Sequence, residues 1–258
     1  MSNSTTAKYV YRLLGITVVL CLVACDNQQS VEAGPLKSEI VTLEERAPDC
    51  TQPEECASVS ITREVFVQRS ELNDAARKQL LTQLQGFGEA GKENTSASLE
   101  QVAEDFLAEA AQVADISSAH WQLSGAVKSL ARRGDLLTLE ISSYLFTGGA
   151  HGMPATQWMN WDLAQNAPVT LADVIKPGKE GDFWKQAEAA HQQWQDEQSV
   201  DEEFRENWPF ARTDDFRMTD NGLHLLYGVY TLGPYSMGQV ELTLPQEKLT
   251  EILREPYQ

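Results

Sequence analysis

The sequence predicts an α+β fold in which mainly antiparallel sheet packs against helices within one folded region. Three observations carry this. Several short segments alternate apolar and polar residues with the period of two of a half-buried strand. Longer stretches repeat apolar residues at the three-to-four spacing of an amphipathic helix. The strands do not alternate with helices in the regular rhythm that builds a parallel sheet.

In residues 57–68, Val59 and Ile61, and later Val65 and Val67, alternate with polar neighbours, which reads as the first strand. Leu72, Ala76, Leu80, Leu84 and Phe87 line one face of a helix over 71–87; Leu99, Val102, Phe106, Ala110 and Val113 do so over 97–114. Between them, residues 86–91 (GFGEAG) match the spacing of a dinucleotide-binding turn. Here the turn closes a helix instead of following a strand, so it reads as a glycine cap and loop, and no cofactor is expected. Residues 119–131 and 136–146 are strongly alternating strands joined by a hairpin turn at 132–135, and 155–163 is another strand. Residues 168–170 lead into a short helix over 171–175 that Pro177-Gly178 ends. Residues 181–206 form a long acidic helical region with Phe183, Ala187, Ala190 and Trp194 as its buried stripe. Its acids Asp196, Glu197, Asp201, Glu202, Glu203 and Glu206 read as a solvated face or a surface for a basic partner. Strands over 216–218 and 223–230 make a hairpin in which Asn221-Gly222 predicts a type I′ turn. A strand over 237–244 follows, and Pro245 opens a closing helix with Leu249, Ile252 and Leu253 facing in.

The chain has 258 residues, of which 42% are hydrophobic and 22% charged, a globular composition. A net charge of −18 disfavours nucleic acid as a partner, because phosphate binding needs a basic face. Residues 1–12 carry Lys8 and Arg12 and no acid, and 13–24 (LLGITVVLCLVA) is an apolar run too short for a comfortable membrane span. This is the pattern of a secretory signal over residues 1–24. Leu22-Val23-Ala24-Cys25 resembles the lipobox of bacterial lipoproteins, which implies lipidation at Cys25, attachment to a membrane of the bacterial envelope and a periplasm-facing chain. Asp26-Asn27 resembles an inner-membrane retention signal. Cleavage removes two bases and no acids, leaving 18 Lys+Arg against 38 Asp+Glu, a net charge of −20. Residues 25–49 read as a flexible acidic tether. Cys50 and Cys56 remain, without redox spacing or neighbours to complete a zinc site, and are expected to form a local disulfide. The folded region divides, on this reading, into a half over 50–136 and a half over 137–258.

Three segments together carry a family resemblance. Ser143–Gly152 (SYLFTGGAHG) resembles the Y-x-x-T-G-G-A-H-G turn of the RsiV-like envelope domain. Trp161-Asp162-Leu163 with 169–175 (VTLADVI) resembles the strand, turn and helix that follow it. Phe216–Leu223, continuing through Tyr227, Tyr230, Pro234-Tyr235, Gly238 and Pro245, resembles its C-terminal hairpins. The resemblance spans about 57–250 and is strongest over 137–250. That family includes the extracellular domain of a lysozyme-sensing anti-sigma factor and non-catalytic domains attached to some polysaccharide deacetylases. The short stretch before Tyr11 leaves no room for a sigma-binding domain, and the deacetylase metal motifs are absent, so neither activity is expected to transfer. What the resemblance implies is a stand-alone, non-enzymatic lipoprotein that recognises lysozyme, another cationic envelope partner or wall glycan. The competing expectation is an enzyme, or its wall-binding module, acting on peptidoglycan or another polysaccharide.

Gly148, Gly149, His151 and Tyr235 are the candidate ligand-binding residues. The two glycines open backbone conformations closed to other residues. A loop of that kind either presents His151 at a cleft or uses its ring to tie the turn together. His120, His191 and His224 lack metal-binding spacing, so no metal site is expected. Glu140 and Asp162 are acids that a polysaccharide-cleaving pair would draw on. The six tryptophans either pack in the core or stack on sugars.

Overall fold

A computed structural model describes residues 36–48, 50, 56–86, 98–114 and 120–258. The expected signal segment, Cys25 and Asp26 lie outside the described residues, as does 87–97, which holds all of the GFGEAG turn except Gly86. No helix among the described residues is long and apolar enough to cross a membrane.

The fold is α+β, built on a six-stranded and a three-stranded sheet. The larger sheet runs in chain order through β1 (Ser38–Arg46), β2 (Ser58–Phe66), β3 (Gln122–Arg133), β4 (Leu136–Phe146), β5 (Met153–Asp162) and β6 (Ala167–Val169). Every pairing is antiparallel except β2 with β3, where two helices, α1 (Ser70–Gln85) and α2 (Leu99–Val113), make the crossover. These helices cover one face. Val59 and Ile61, Leu123 and Val127, Leu137, Leu139 and Ile141, and Met159 and Trp161 alternate toward them and meet Leu72, Leu80, Leu84, Val102 and Phe106 in a first core. Gly125 sets how near α1 can come, since a Cβ there would sit 3.1 Å from the Leu80 side chain. Asn73 in α1 finishes the end of β2. Its amide accepts from the Phe66 N–H and donates to the Phe66 carbonyl, both at 2.8 Å, as a further strand would.

The second core lies on the smaller sheet, β7 (Phe216–Thr219), β8 (Gly222–Tyr227) and β9 (Val240–Pro245). Helix α3 (Leu171–Val174), the long α4 (Glu180–Glu197) and α6 (Gln246–Leu249) supply its other side through Leu171, Val174, Phe183, Ala187 and Leu249. Helix α5 (Glu202–Asn207) follows α4, so the expected helical region over 181–206 is two helices with a break. Ser199 takes a positive φ of 54° there and Asp201 caps the restart through the Phe204 N–H.

Several expectations change. The tether assigned to 25–49 is not one over Ser38–Arg46, which pairs with β2 along its length as an edge strand. Its side chains are mostly exposed, so no apolar alternation marked it. The division at 136/137 falls in the β3–β4 turn, inside one sheet; the first core runs on to Leu163 and the second starts at Val169. The expected disulfide joins Cys50 to Cys56, with Cα atoms 5.7 Å apart. The Asn221-Gly222 turn is not type I′. Thr219 pairs with Gly222, so Asp220 and Asn221 are the central residues and neither has positive φ.

Gly222 is required for a different reason. Its φ is +140°, and a Cβ would collide with the Leu244 carbonyl of β9. Gly222→Ala is expected to destabilise the fold by about 2–4 kcal/mol, read as a shift of the denaturant midpoint with the slope unchanged.

Candidate functional site

The loop between β4 and β5 and the segment between β8 and β9 meet in an aromatic cluster. Gly148 and Gly149 have φ of +108° and +92°, which lets the chain turn sharply after Thr147. Gly149 has open space around it, so the backbone angle, not crowding, calls for glycine. Gly152 is the opposite case: a Cβ there would enter the Tyr144 ring. The exposed His151 ring stacks on Tyr235, with centroids 3.6 Å apart and planes at 16°. The Tyr235 hydroxyl donates to the Gly152 carbonyl at 2.8 Å, and His151 Nδ1 lies 3.1 Å from the same oxygen. Because a carbonyl only accepts, Nδ1 donates there, and Nε2 lies 3.4 Å from the Tyr230 hydroxyl.

His151 and Tyr235 are thus brought together, and Gly148 and Gly149 shape the turn that delivers His151. The imidazole ties the loop and is presented outward at once. Tyr230 is the member that strand periodicity hid. Its position inside an expected strand over 223–230 fails because β8 stops at Tyr227, and Tyr230 sits at φ +63° with 48% of its surface exposed. The visible signal was its setting among Gly228, Gly233 and Pro234, turn residues that do not belong to a strand. An exposed tyrosine held in left-handed backbone is strained and outward-facing, a combination common at contact sites.

The acidic helix lies next to this cluster. Phe204 of α5 packs beside Gly233, in the segment between Tyr230 and Tyr235, and Glu202, Glu203 and Glu206 of the same helix are exposed. Arg205 turns back to Asp196 and Gln195. The other candidates are occupied elsewhere. Glu140 pairs with Lys128 at 2.8 Å, and Asp162 accepts from the Ala164 and Gln165 N–H groups in a turn. All six tryptophans are buried or half-buried, and Trp121, Trp161, Trp184 and Trp194 pack on the two cores. Among the described residues, no group of three or more His, Cys, Asp or Glu is placed to hold a metal.

Two polar arrangements were invisible in the sequence. On the outer face of the small sheet, His224 Nε2 lies 2.9 Å from Thr219 Oγ1, and its Nδ1 lies 2.6 Å from Glu241 Oε1, which Arg217 also grips at 2.5 Å. Burial lowers the His224 pKa and the Glu241 carboxylate opposes that shift. The order hydroxyl, imidazole, carboxylate is that of a nucleophilic relay. Thr219 Oγ1, however, also accepts from the Asn221 N–H and contacts the Gly222 carbonyl, so it serves the β7–β8 turn. The cluster works as a clip across three strands.

The second arrangement is a cleft of about 500 Å³ where β5, β6, α1 and the start of β7 meet. The half-buried Asp215 forms part of its wall, and its carboxylate accepts from the Trp158 N–H at 3.1 Å. Burial pushes the Asp215 carboxyl up to about 6, the Trp158 N–H opposes that shift, and the Asp214 charge adds to it. Native Asp215 therefore titrates near 6 and the unfolded one near 3.8. Holding its charge costs the native state in full above pH 6 and nothing below about pH 4, so this part of the stability is present in acid and lost as pH rises. Asp215→Asn keeps an oxygen for the Trp158 N–H without the charge. Its denaturation midpoint at pH 7 should rise by the equivalent of about 1–2 kcal/mol over the parent, with the gain gone at pH 4.

Two family models match the chain. The family model described as "Protein of unknown function (DUF3298)" matches residues 172–247, and that described as "Deacetylase PdaC" matches residues 50–154. No curated protein matches the chain. A crystal structure of a DUF3298 family protein from Pseudomonas aeruginosa has 33% sequence identity and a TM-score of 0.71, covering 86% of this chain and 95% of that one. A DUF3298 member from Bacteroides fragilis, at 22% identity and a TM-score of 0.63 over 85% of this chain and 94% of that one, shares the fold. With a relative of this identity matched over nearly its whole length, the chain belongs to the DUF3298 family.

Proposed function

We propose that this DUF3298 protein is an envelope lipoprotein whose folded region is a non-catalytic recognition domain of the RsiV-like type, binding a cationic protein partner through the His151–Tyr230–Tyr235 face. The observation that carries the reading is an aromatic cluster, with His151 and Tyr230 exposed and Tyr235 half-buried, in a segment that packs on the acidic helix α5. Tyrosines on short loops supply large contact area at low entropic cost and are frequent binding hot spots. Exposed carboxylates at the border steer a basic partner and raise its rate of encounter. The net charge of −18 acts in the same direction. Lysozyme is the concrete partner, from the family resemblance at the GGAHG loop and the C-terminal hairpins. Lipidation at Cys25, with the inner membrane favoured by Asp26, would hold the domain in the periplasm where such a partner arrives.

Binding of lysozyme to the purified chain, measured at low and at physiological salt, tests this. Binding is expected at both, tighter at low salt because surface charges are screened beyond about 10 Å at 0.1 M. Tyr230→Ala should weaken it about tenfold or more at either salt. No binding at either salt would overturn the reading.

A further inference from the structure

We propose that the cleft beside β5 is a second binding site, independent of the aromatic face, that takes a small aliphatic ammonium with the Asp215 carboxylate as its counter-ion.

The cleft exists because the sheet stops early. β6 pairs only with Asn160–Asp162, so β5 from Trp158 back toward Met153 has no strand on that side. The Trp158 N–H points into the vacated space and finds Asp215 Oδ1. Asp215 Oδ2 has no hydrogen-bond partner among the described residues and is not fully enclosed. Asp214 beside it is exposed. These two are the only titratable residues among the described residues of the lining. Neither of the bases that flank this segment in the chain is a lining residue: Arg212 lies over the Trp184 ring, and Arg217 runs to Glu241 and lies over the Trp158 ring. Two carboxylates of like charge therefore border a cavity with no cation among its lining residues, and the complement to that charge is a positively charged ligand. An asparagine would accept the Trp158 N–H equally well without a charge, so capping the strand edge does not by itself call for an acid.

The rest of the wall says what the cation is attached to. Pro168, Leu171 and Phe216 offer apolar surface for a methylene stem, while Gln79 and Gln157 offer amide donors and acceptors for a polar end. At about 500 Å³ the space suits a small molecule. Binding an ammonium would hold Asp215 ionised, so affinity should fall as pH drops through its titration near 6.

The test titrates the full chain with 1,4-diaminobutane and, separately, with the uncharged isostere 1,4-butanediol, following the Trp158 backbone amide by NMR at pH 7.5 in physiological salt. Saturable shifts are expected with the diamine, at least tenfold weaker with the diol, and weaker by about tenfold for the diamine at pH 5. Asp215→Asn should abolish the diamine response. Equal binding of diol and diamine, shifts spread over the acidic surface without saturation at Trp158, no response to either probe, or an unchanged response in the variant would each overturn the proposal. Should the variant lose its dispersed spectrum, the comparison of diamine with diol on the parent chain decides alone. Lysozyme binding is not involved in this readout, so the two sites stand or fall separately.

Discussion

The unfinished edge of β5 is the constraint on which the rest of the molecule depends. A strand interior to a sheet needs partners on both sides, and here β6 covers only the last three residues of one side. The C-terminal module supplies what is missing. Asp215 takes the Trp158 N–H, and the buried Asn160 side chain donates to the Phe216 carbonyl at 2.7 Å while accepting from Thr138 Oγ1 at 2.7 Å. These bonds run from β4 through β5 to β7, from one core to the other. The two Asn160 bonds are buried, so leaving either partner unmatched would cost about 1–3 kcal/mol. The two sheets are joined by these polar bonds at an edge, beside the contact that Val169 of β6 and Leu136 of β4 make with the second core.

That joint positions the aromatic face. The GGAHG loop enters β5 directly, and the Tyr230–Tyr235 segment hangs between β8 and β9, so the stacking of His151 on Tyr235 holds only while both sheets keep their register. Gly152 completes the closure: its missing side chain admits the Tyr144 ring and its carbonyl receives the Tyr235 hydroxyl. The same residues therefore serve architecture and presentation. The loop histidine need not be assigned to one role at the expense of the other.

Legibility in the sequence followed burial. The helices α1 and α2 and the strands β2 to β5 each present one apolar face to a core, and periodicity marked them within a few residues. β1 escaped because it is an edge strand with mostly exposed side chains, and β6 because three residues carry no period. Of the candidate site, glycine chemistry pointed to the 147–152 loop, and the family resemblance reached Tyr230 and Tyr235. The partnership of His151 with Tyr230 and Tyr235 depends on about 80 residues of intervening chain folding back, which no local pattern encodes. Asp215 was silent for a similar reason. Its environment is made by Trp158 from a different sheet, and an Asp-Asp pair before a strand reads as ordinary surface.

Native-state hydrogen exchange tests the edge joint most directly. In the parent chain, slow amides of the two cores, Leu139 in β4 and Leu225 in β8, should open with the same free energy, because the sheets unfold together. In Asn160→Ala the Leu225 amide should lose protection well before Leu139, as the small sheet opens on its own. Unequal opening in the parent chain, or a variant in which both amides lose protection together, would contradict the claim that these few buried bonds make the two sheets one unit.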